Sequence, residues 1–118
     1  MDSSAYKDFK TSRGINYHYY FSSPKEGNLT LLFCHGFPSS SYDWHHQIEF
    51  FKHKGYGLVV PDMLGYGGTD KPTSPELYKT VFLAKDIVEL LDAEQLQNVV
   101  AVGHDWQVNL RYLHQYHY

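Results

Sequence analysis

Apolar residues along this chain recur with two periods, and the alternation between the two is the first guide to its architecture. Residues 15–21 (INYHYYF) are aromatic-rich and partly alternating, which predicts a strand. The polar stretch 22–28 (SSPKEGN) reads as the turn after it. Residues 29–34 are a short unbroken apolar run, the form a strand takes when both of its faces are buried in a parallel sheet. Trp44, Ile48 and Phe51 then fall at helical spacing and predict a helix over 41–54, with Gly55 where a C-terminal cap belongs. A strand over 56–60 is closed by Pro61, and 62–73 is a glycine-rich loop. The segment 80–92 reads as an amphipathic helix, with Val81, Phe82, Ala84, Val88 and Leu91 on its apolar side and Asp86, Glu89 and Asp92 toward solvent. Residues 98–102 are the last strand, and 108–118 read as the helix that follows. Strands alternating with helices predict an α/β fold with a mainly parallel sheet.

Composition narrows the picture. At 118 residues the chain holds one domain at most, and 42% hydrophobic residues with 17% aromatic suit a folded core. The net charge is −3 and the 10 basic residues are scattered, which argues against nucleic acid or an anionic membrane as partner. Cys34 is the single cysteine, so no internal disulfide forms; its apolar surroundings predict a buried structural thiol. The first residues lack a signal-type apolar core and no stretch reaches membrane-spanning length, so the expected location is cytoplasmic. Repeats, linkers and low-complexity segments are not evident.

Three segments carry chemistry, each at the C-terminal end of a predicted strand, where open α/β sheets bind ligands. In His35-Gly36-Phe37-Pro38 the glycine allows a tight turn, after which the Phe37 amide can point into a pocket as an oxyanion donor. The second segment is the loop running from Asp62 through Gly65-Tyr66-Gly67-Gly68 to Pro72. The third is Gly103-His104-Asp105-Trp106, where the apolar run 98–102 breaks at a glycine into a polar residue. A strained strand-to-helix turn of this kind holds one side chain clear of the sheet. Here that side chain is the carboxylate of Asp105, which narrows the chemistry to displacement at carbon through an alkyl-enzyme ester. The Trp106 amide is the second expected oxyanion donor; a preorganised donor in a dry site contributes ~3–4 kcal/mol.

Together the three segments resemble the α/β-hydrolase superfamily and, within it, the soluble epoxide hydrolases, over residues 9–106. His35-Gly36-Phe37-Pro38 is similar to their oxyanion-hole motif, Pro61-Asp62 through Pro72 to the loop after their fourth strand, and Gly103-His104-Asp105-Trp106 to their nucleophile elbow. The resemblance implies an aspartate, Asp105, that attacks an epoxide carbon. It also implies a water activated by an acid-supported histidine that hydrolyses the ester, and lid tyrosines that protonate the opening oxygen. It implies no cofactor and no metal, and a small apolar epoxide as substrate once the fold is complete. In the family's chain order the acid, histidine and lid tyrosines follow the nucleophile, beyond residue 118. Gln107 and Val108 stand where the family places small residues, an overpacking of ~1–3 kcal/mol. The expectation is the N-terminal half of such a domain, interrupted near residue 107 by truncation, altered splicing or a wrong gene model, and without turnover by itself.

Plainer readings stand beside these. Asp105 also suits a helix N-cap. His35 precedes the nucleophile and is read as a structural hydrogen-bonding residue, with His104 facing the sheet interior. His45-His46 and the His114/His117 pair lack accompanying carboxylates or cysteines, so no metal site is expected. Gly65-Tyr66-Gly67-Gly68 matches no phosphate-binding pattern and reads as a structural turn. Trp44 reads as core, and Tyr112, Tyr116 and Tyr118 are not lid tyrosines. The functional alternatives are a haloalkane or haloacid dehalogenase, a non-catalytic chain binding a partner or itself through an open sheet edge, and no function. Phe37 and Gly65-Tyr66-Gly67 favour the epoxide branch, and Trp106 disfavours relatives with arginine beside the nucleophile.

Overall fold

A hairpin that the hydrophobic pattern does not announce opens the sheet. The computed structural model describes residues 3–35, 40–96 and 98–103. In it, β1 (Tyr6–Lys10) pairs antiparallel with β2 (Asn16–Ser22), in a register that sets Asp8 opposite His18. β1 escapes the sequence reading because its sequence, YKDFK, is half charged and only Tyr6 and Phe9 are even partly buried. β2 pairs antiparallel with β4 (Gly57–Pro61), and β3 (Thr30–Cys34) lies between β4 and β5 (Val99–Gly103), parallel to both. The order is β1-β2-β4-β3-β5. Four strands therefore run the same way and β2 alone runs against them, so the sheet is mixed but mainly parallel, as expected.

Every residue of β3 and β4 is buried, which explains why TLLFC and GLVVP read as continuous rather than alternating apolar runs. Successive side chains on β3 leave opposite faces. Leu32 and Cys34 enter one cluster with Tyr17, Val59 and the inner face of α2 (Thr80–Ala93). Leu31 and Phe33 enter another with Tyr20, Leu58, Val60 and Ile48 of α1 (His45–His53). The crossover through α1 steps from β3 to β4, whereas the one through α2 steps past β3 to β5. Right-handed connections in opposite directions place the two helices on opposite faces. Ile48 is fully buried, worth roughly 2–3 kcal/mol.

The helix expected over 41–54 begins instead as a 3-10 turn, Ser41–Trp44, and becomes α-helical at His45. Its end is a Schellman motif: the amide of Tyr56 donates to Phe51 O at 3.1 Å and that of Gly55 to Lys52 O at 3.0 Å. Gly55, at φ +89°, supplies the left-handed residue this requires.

The amphipathic reading of α2 needs two corrections. Val81 and Phe82 are 46% and 39% exposed, because the buried stripe is set by Leu83, Ala84, Ile87, Leu90 and Leu91. Asp86, expected toward solvent, is buried, as part of a long-range ion pair. Arg13, in the turn between β1 and β2, donates to both carboxylate oxygens, from Nε at 2.9 Å and from its terminal nitrogen at 2.5 Å. The Tyr17 hydroxyl donates to the same carboxylate at 2.7 Å, and Arg13 also donates to Leu77 O at 3.0 Å. A buried carboxylate is tolerable when its oxygens are met in this way. Its hydrogen bond raises the Arg13 pKa, while burial and then the carboxylate's charge push the Tyr17 phenol far above its ordinary range.

Candidate active site

The parallel pairing of β3 with β5 fixes the frame of the site. Cys34 lies beside Gly103 in that register, so the chain leaves both strands at the same level and on the same end of the sheet. Neighbouring strands are about 4.8 Å apart. The ends of the two strands, Cys34 and Gly103, are thus adjacent. Of the sequence-predicted site residues, His35 and Gly103 fall within the described structure. Gly36, Phe37, Pro38, His104, Asp105 and Trp106, and the helix expected over 108–118, lie outside the described residues.

His35 is completely buried and its Nε2 accepts the Met63 amide at 2.9 Å. An Nε2 that accepts carries no proton, so in the neutral ring the proton is on Nδ1. The ring packs edge-on against Tyr66 at 5.2 Å. The structural hydrogen-bonding role read from its sequence position is therefore the role it has here: it fastens the end of β3 to the loop after β4.

Asp62 supplies a second fastening, unnoticed in the sequence beyond its place in the loop. Its buried carboxylate accepts the Ser41 amide at 2.8 Å through one oxygen and the Gly68 amide at 3.0 Å through the other. The chain from 36 to 40 is thus bracketed by anchors at His35 and Ser41, both made to consecutive residues of one loop. That loop is held in turn. The Thr69 hydroxyl donates to Asp62 O at 2.5 Å and accepts the His18 amide at 2.9 Å, tying the loop to β2. The Asp70 carboxylate accepts the Asn16 amide at 2.8 Å. Gly67, at φ +53°, passes so close that a Cβ there would collide with the Asp62 carboxylate. The glycine-rich stretch is a structural turn folded around an aspartate, and a carboxylate directly after a buried strand and proline was the only local sign of it. The Tyr6 hydroxyl and Ser41 Oγ share a hydrogen bond of 2.8 Å, and burial raises the Tyr6 pKa.

Cys34 is buried under this end of the sheet, and desolvation pushes its thiol up to about 12. Trp44, read as core, stacks on Phe33 at 4.8 Å and also lines an apolar groove. His45 stacks on Tyr42 and its Nδ1 lies 2.7 Å from Tyr42 O. No three His, Cys, Asp or Glu side chains converge among the described residues, and no described helix is long and apolar enough to cross a membrane.

Strand order, crossovers and the two anchored loop ends at one sheet margin define an α/β-hydrolase frame. The family model of the alpha/beta hydrolase fold matches residues 30–106, and the chain belongs to that family. Within it the chain is epoxide hydrolase-like. It is 43% identical over 76 residues to an epoxide hydrolase of Caballeronia sordidicola, covering 64% of this chain and 23% of that protein. It is 42% identical over 96 residues to epoxide hydrolase 2 of Siraitia grosvenorii, covering 81% of this chain and 29% of that one. Among solved structures, a mutant epoxide hydrolase from Vigna radiata superposes with a TM-score of 0.83 at 33% identity, over 95% of this chain and 34% of its own. Epoxide hydrolase A from Mycobacterium thermoresistibile superposes at 0.77 with 32% identity, over 86% and 31%. The chain thus spans about a quarter to a third of the length of the relatives it matches.

Proposed function

We propose that Asp105 is a nucleophile for epoxides and that the amides of Phe37 and Trp106 form the oxyanion hole of the same site. The observation that supports this most directly is the Cys34–Gly103 register, from which both motifs depart at one end of the sheet. The likeness to epoxide hydrolases supports an epoxide as the substrate class, and a small apolar one is the substrate in this proposal.

In this reading a carboxylate oxygen of Asp105 attacks a ring carbon. The new C–O bond forms as the ring C–O bond breaks, and the released oxygen takes a proton from solvent water, leaving hydroxide, to give a 2-hydroxyalkyl ester. Water then adds to the ester carbonyl, and the tetrahedral oxyanion is met by the two backbone amides before it collapses to the diol and free carboxylate. Metal and cofactor have no part in either step. His35 is not the base for the water, because its Nε2 lone pair is committed to the Met63 amide. The proposal for these 118 residues alone is therefore formation of the ester without sustained turnover.

The test is intact-mass and peptide-mapping spectrometry after incubation with an aryl epoxide. A single adduct on Asp105, lost in Asp105→Asn, is the expected result. Adducts scattered over other carboxylates, or an unchanged adduct in the variant, would remove the nucleophile assignment. Halide release from a haloalkane, with no epoxide adduct, would move the chain to the dehalogenase branch.

A further inference from the structure

One histidine of β2 connects to both residues that grip Asp62. His18 stands opposite Asp8 in the β1–β2 register, on the sheet face that also carries Tyr20 and α1. Its Nδ1 lies 3.1 Å from Asp8 Oδ1, which also accepts from Asn16 Nδ2 at 3.2 Å. The imidazole stacks on the Tyr6 ring, at 4.7 Å with 9° between the planes, and the Tyr6 hydroxyl reaches Ser41. The same imidazole lies against Gly68, so closely that a Cβ there would come within 2.8 Å of it. Ser41 and Gly68 are the two residues whose amides Asp62 accepts. The ring is thus joined to Gly68 directly and to Ser41 through Tyr6, while 33% of the His18 side chain stays open to solvent.

Histidine is the side chain whose charge changes near neutral pH. Asp8 remains ionised there, because its hydrogen bond with His18 holds the carboxyl below its ordinary range. The other charged or titratable groups of the surrounding elements are Tyr6 and Lys10 on β1, Tyr20 on β2, and Asp62, Asp70 and Lys71 in the loop. Lys10 pairs with Asn16 rather than with His18, and Lys71 is held by the carbonyl oxygens of Gly67 and Thr69. A positive charge on the ring would strengthen its bond to the Asp8 carboxylate and its hold on the face of Tyr6. We propose that His18 is a pH-sensitive latch on the site: protonated, it clamps β1 and Tyr6 to the Gly68 turn and steadies both residues that grip Asp62; neutral, it holds them less firmly. His35 acts in the opposite sense, since its Nε2 accepts the Met63 amide only while unprotonated. The inference rests on this packing and not on the chemistry proposed above.

Hydrogen exchange of the full chain at about pH 5.5 and about pH 8, either side of the range in which histidine changes charge, tests the latch. Protection factors are corrected for intrinsic rates and referred to the Leu90 amide in the buried stripe of α2, in the parent and in His18→Gln. For the Ser41 and Gly68 amides, the ratio of protection at the lower pH to that at the higher is expected to be roughly threefold or more greater in the parent, the scale of a partly exposed charge pair. Asp8→Asn keeps an acceptor for His18 but removes the charge, and is expected to lower the ratio as His18→Gln does. Comparing parent with variants cancels the contribution of His35 and of every other histidine. A folded variant whose ratio equals or exceeds the parent's, or a difference confined to β1 and β2 amides, overturns the proposal. Should His18→Gln not fold, Asp8→Asn decides.

Discussion

Replacing Asp62 with asparagine tests whether the site is held by one buried carboxylate. The change is nearly isosteric, yet the side chain goes from two acceptor oxygens to one. Asp62 accepts from Ser41 at 2.8 Å and from Gly68 at 3.0 Å, and it is 4% exposed. Asparagine keeps one of these bonds, now without charge, and turns an amide NH2 toward the other backbone N–H. A hydrogen bond to a charged group contributes about 1.5–3 kcal/mol, and a buried donor left without an acceptor costs about 1–3 kcal/mol. The expected loss is about 3 kcal/mol, a large share of the roughly 5–15 kcal/mol that holds a domain folded. With a urea m-value near 1.5 kcal/mol/M, the unfolding midpoint drops by about 2 M. Hydrogen exchange adds position: the Ser41 and Gly68 amides are expected to lose protection together. Asp70→Asn is the control, because its carboxylate accepts the Asn16 amide in an exposed setting, where surface interactions are worth under about 1 kcal/mol. Equal, small midpoint shifts in the two variants, with Ser41 exchange unchanged, would refute the argument that Asp62 brackets the 36–40 segment.

Arg13→Ala leaves the buried Asp86 carboxylate with only the Tyr17 hydroxyl and is expected to cost about 3–5 kcal/mol, whereas Arg13→Met with Asp86→Leu recovers most of that loss; denaturant unfolding of the single and double variants measures the difference. Gly67→Ala forces a left-handed residue against the Asp62 carboxylate and is expected to lower the unfolding midpoint of the parent chain, but much less so in an Asp62→Asn background where that loop is already loosened. Stability is expected to fall at alkaline pH: the Cys34 thiol ionises near its ordinary value of 9.0 when unfolded but only at about 12 when folded, so the unfolded chain releases its proton first and the contribution present below pH 9 is lost toward pH 12, at up to about 1.4 kcal/mol per pH unit. Tyr17, shifted upward by burial, acts in the same direction above pH 10, and Cys34→Ala is expected to flatten the lower part of that decline in pH-resolved thermal melts.

How far the sequence foretold this structure depends on the range of each interaction. β3, β4 and α1 were legible because a strand buried on both faces, or a helix with one buried stripe, writes its environment into consecutive residues; β5 was legible from its valine-rich run, although Val99 alone in it is buried. His35 was legible because its place before Gly36, well ahead of the segment proposed to carry the nucleophile, left it a structural part. β1 was not: it is an edge whose outer positions are charged, and its identity as a strand comes from pairing with Asn16–Ser22 rather than from its own pattern. Asp86 shows the limit most clearly. Helical periodicity assigns a residue an angle, and polarity is then used to infer which angles face water. The inference fails when the compensating charge comes from a turn 73 residues away, as Arg13 does, because nothing near Asp86 records that partner. Asp62 fails the same inference at shorter range, since its partners are backbone amides, and every residue but proline has one. The features missed are thus the polar groups that fasten one segment to another, and the site's geometry depends on them as much as on the motifs themselves.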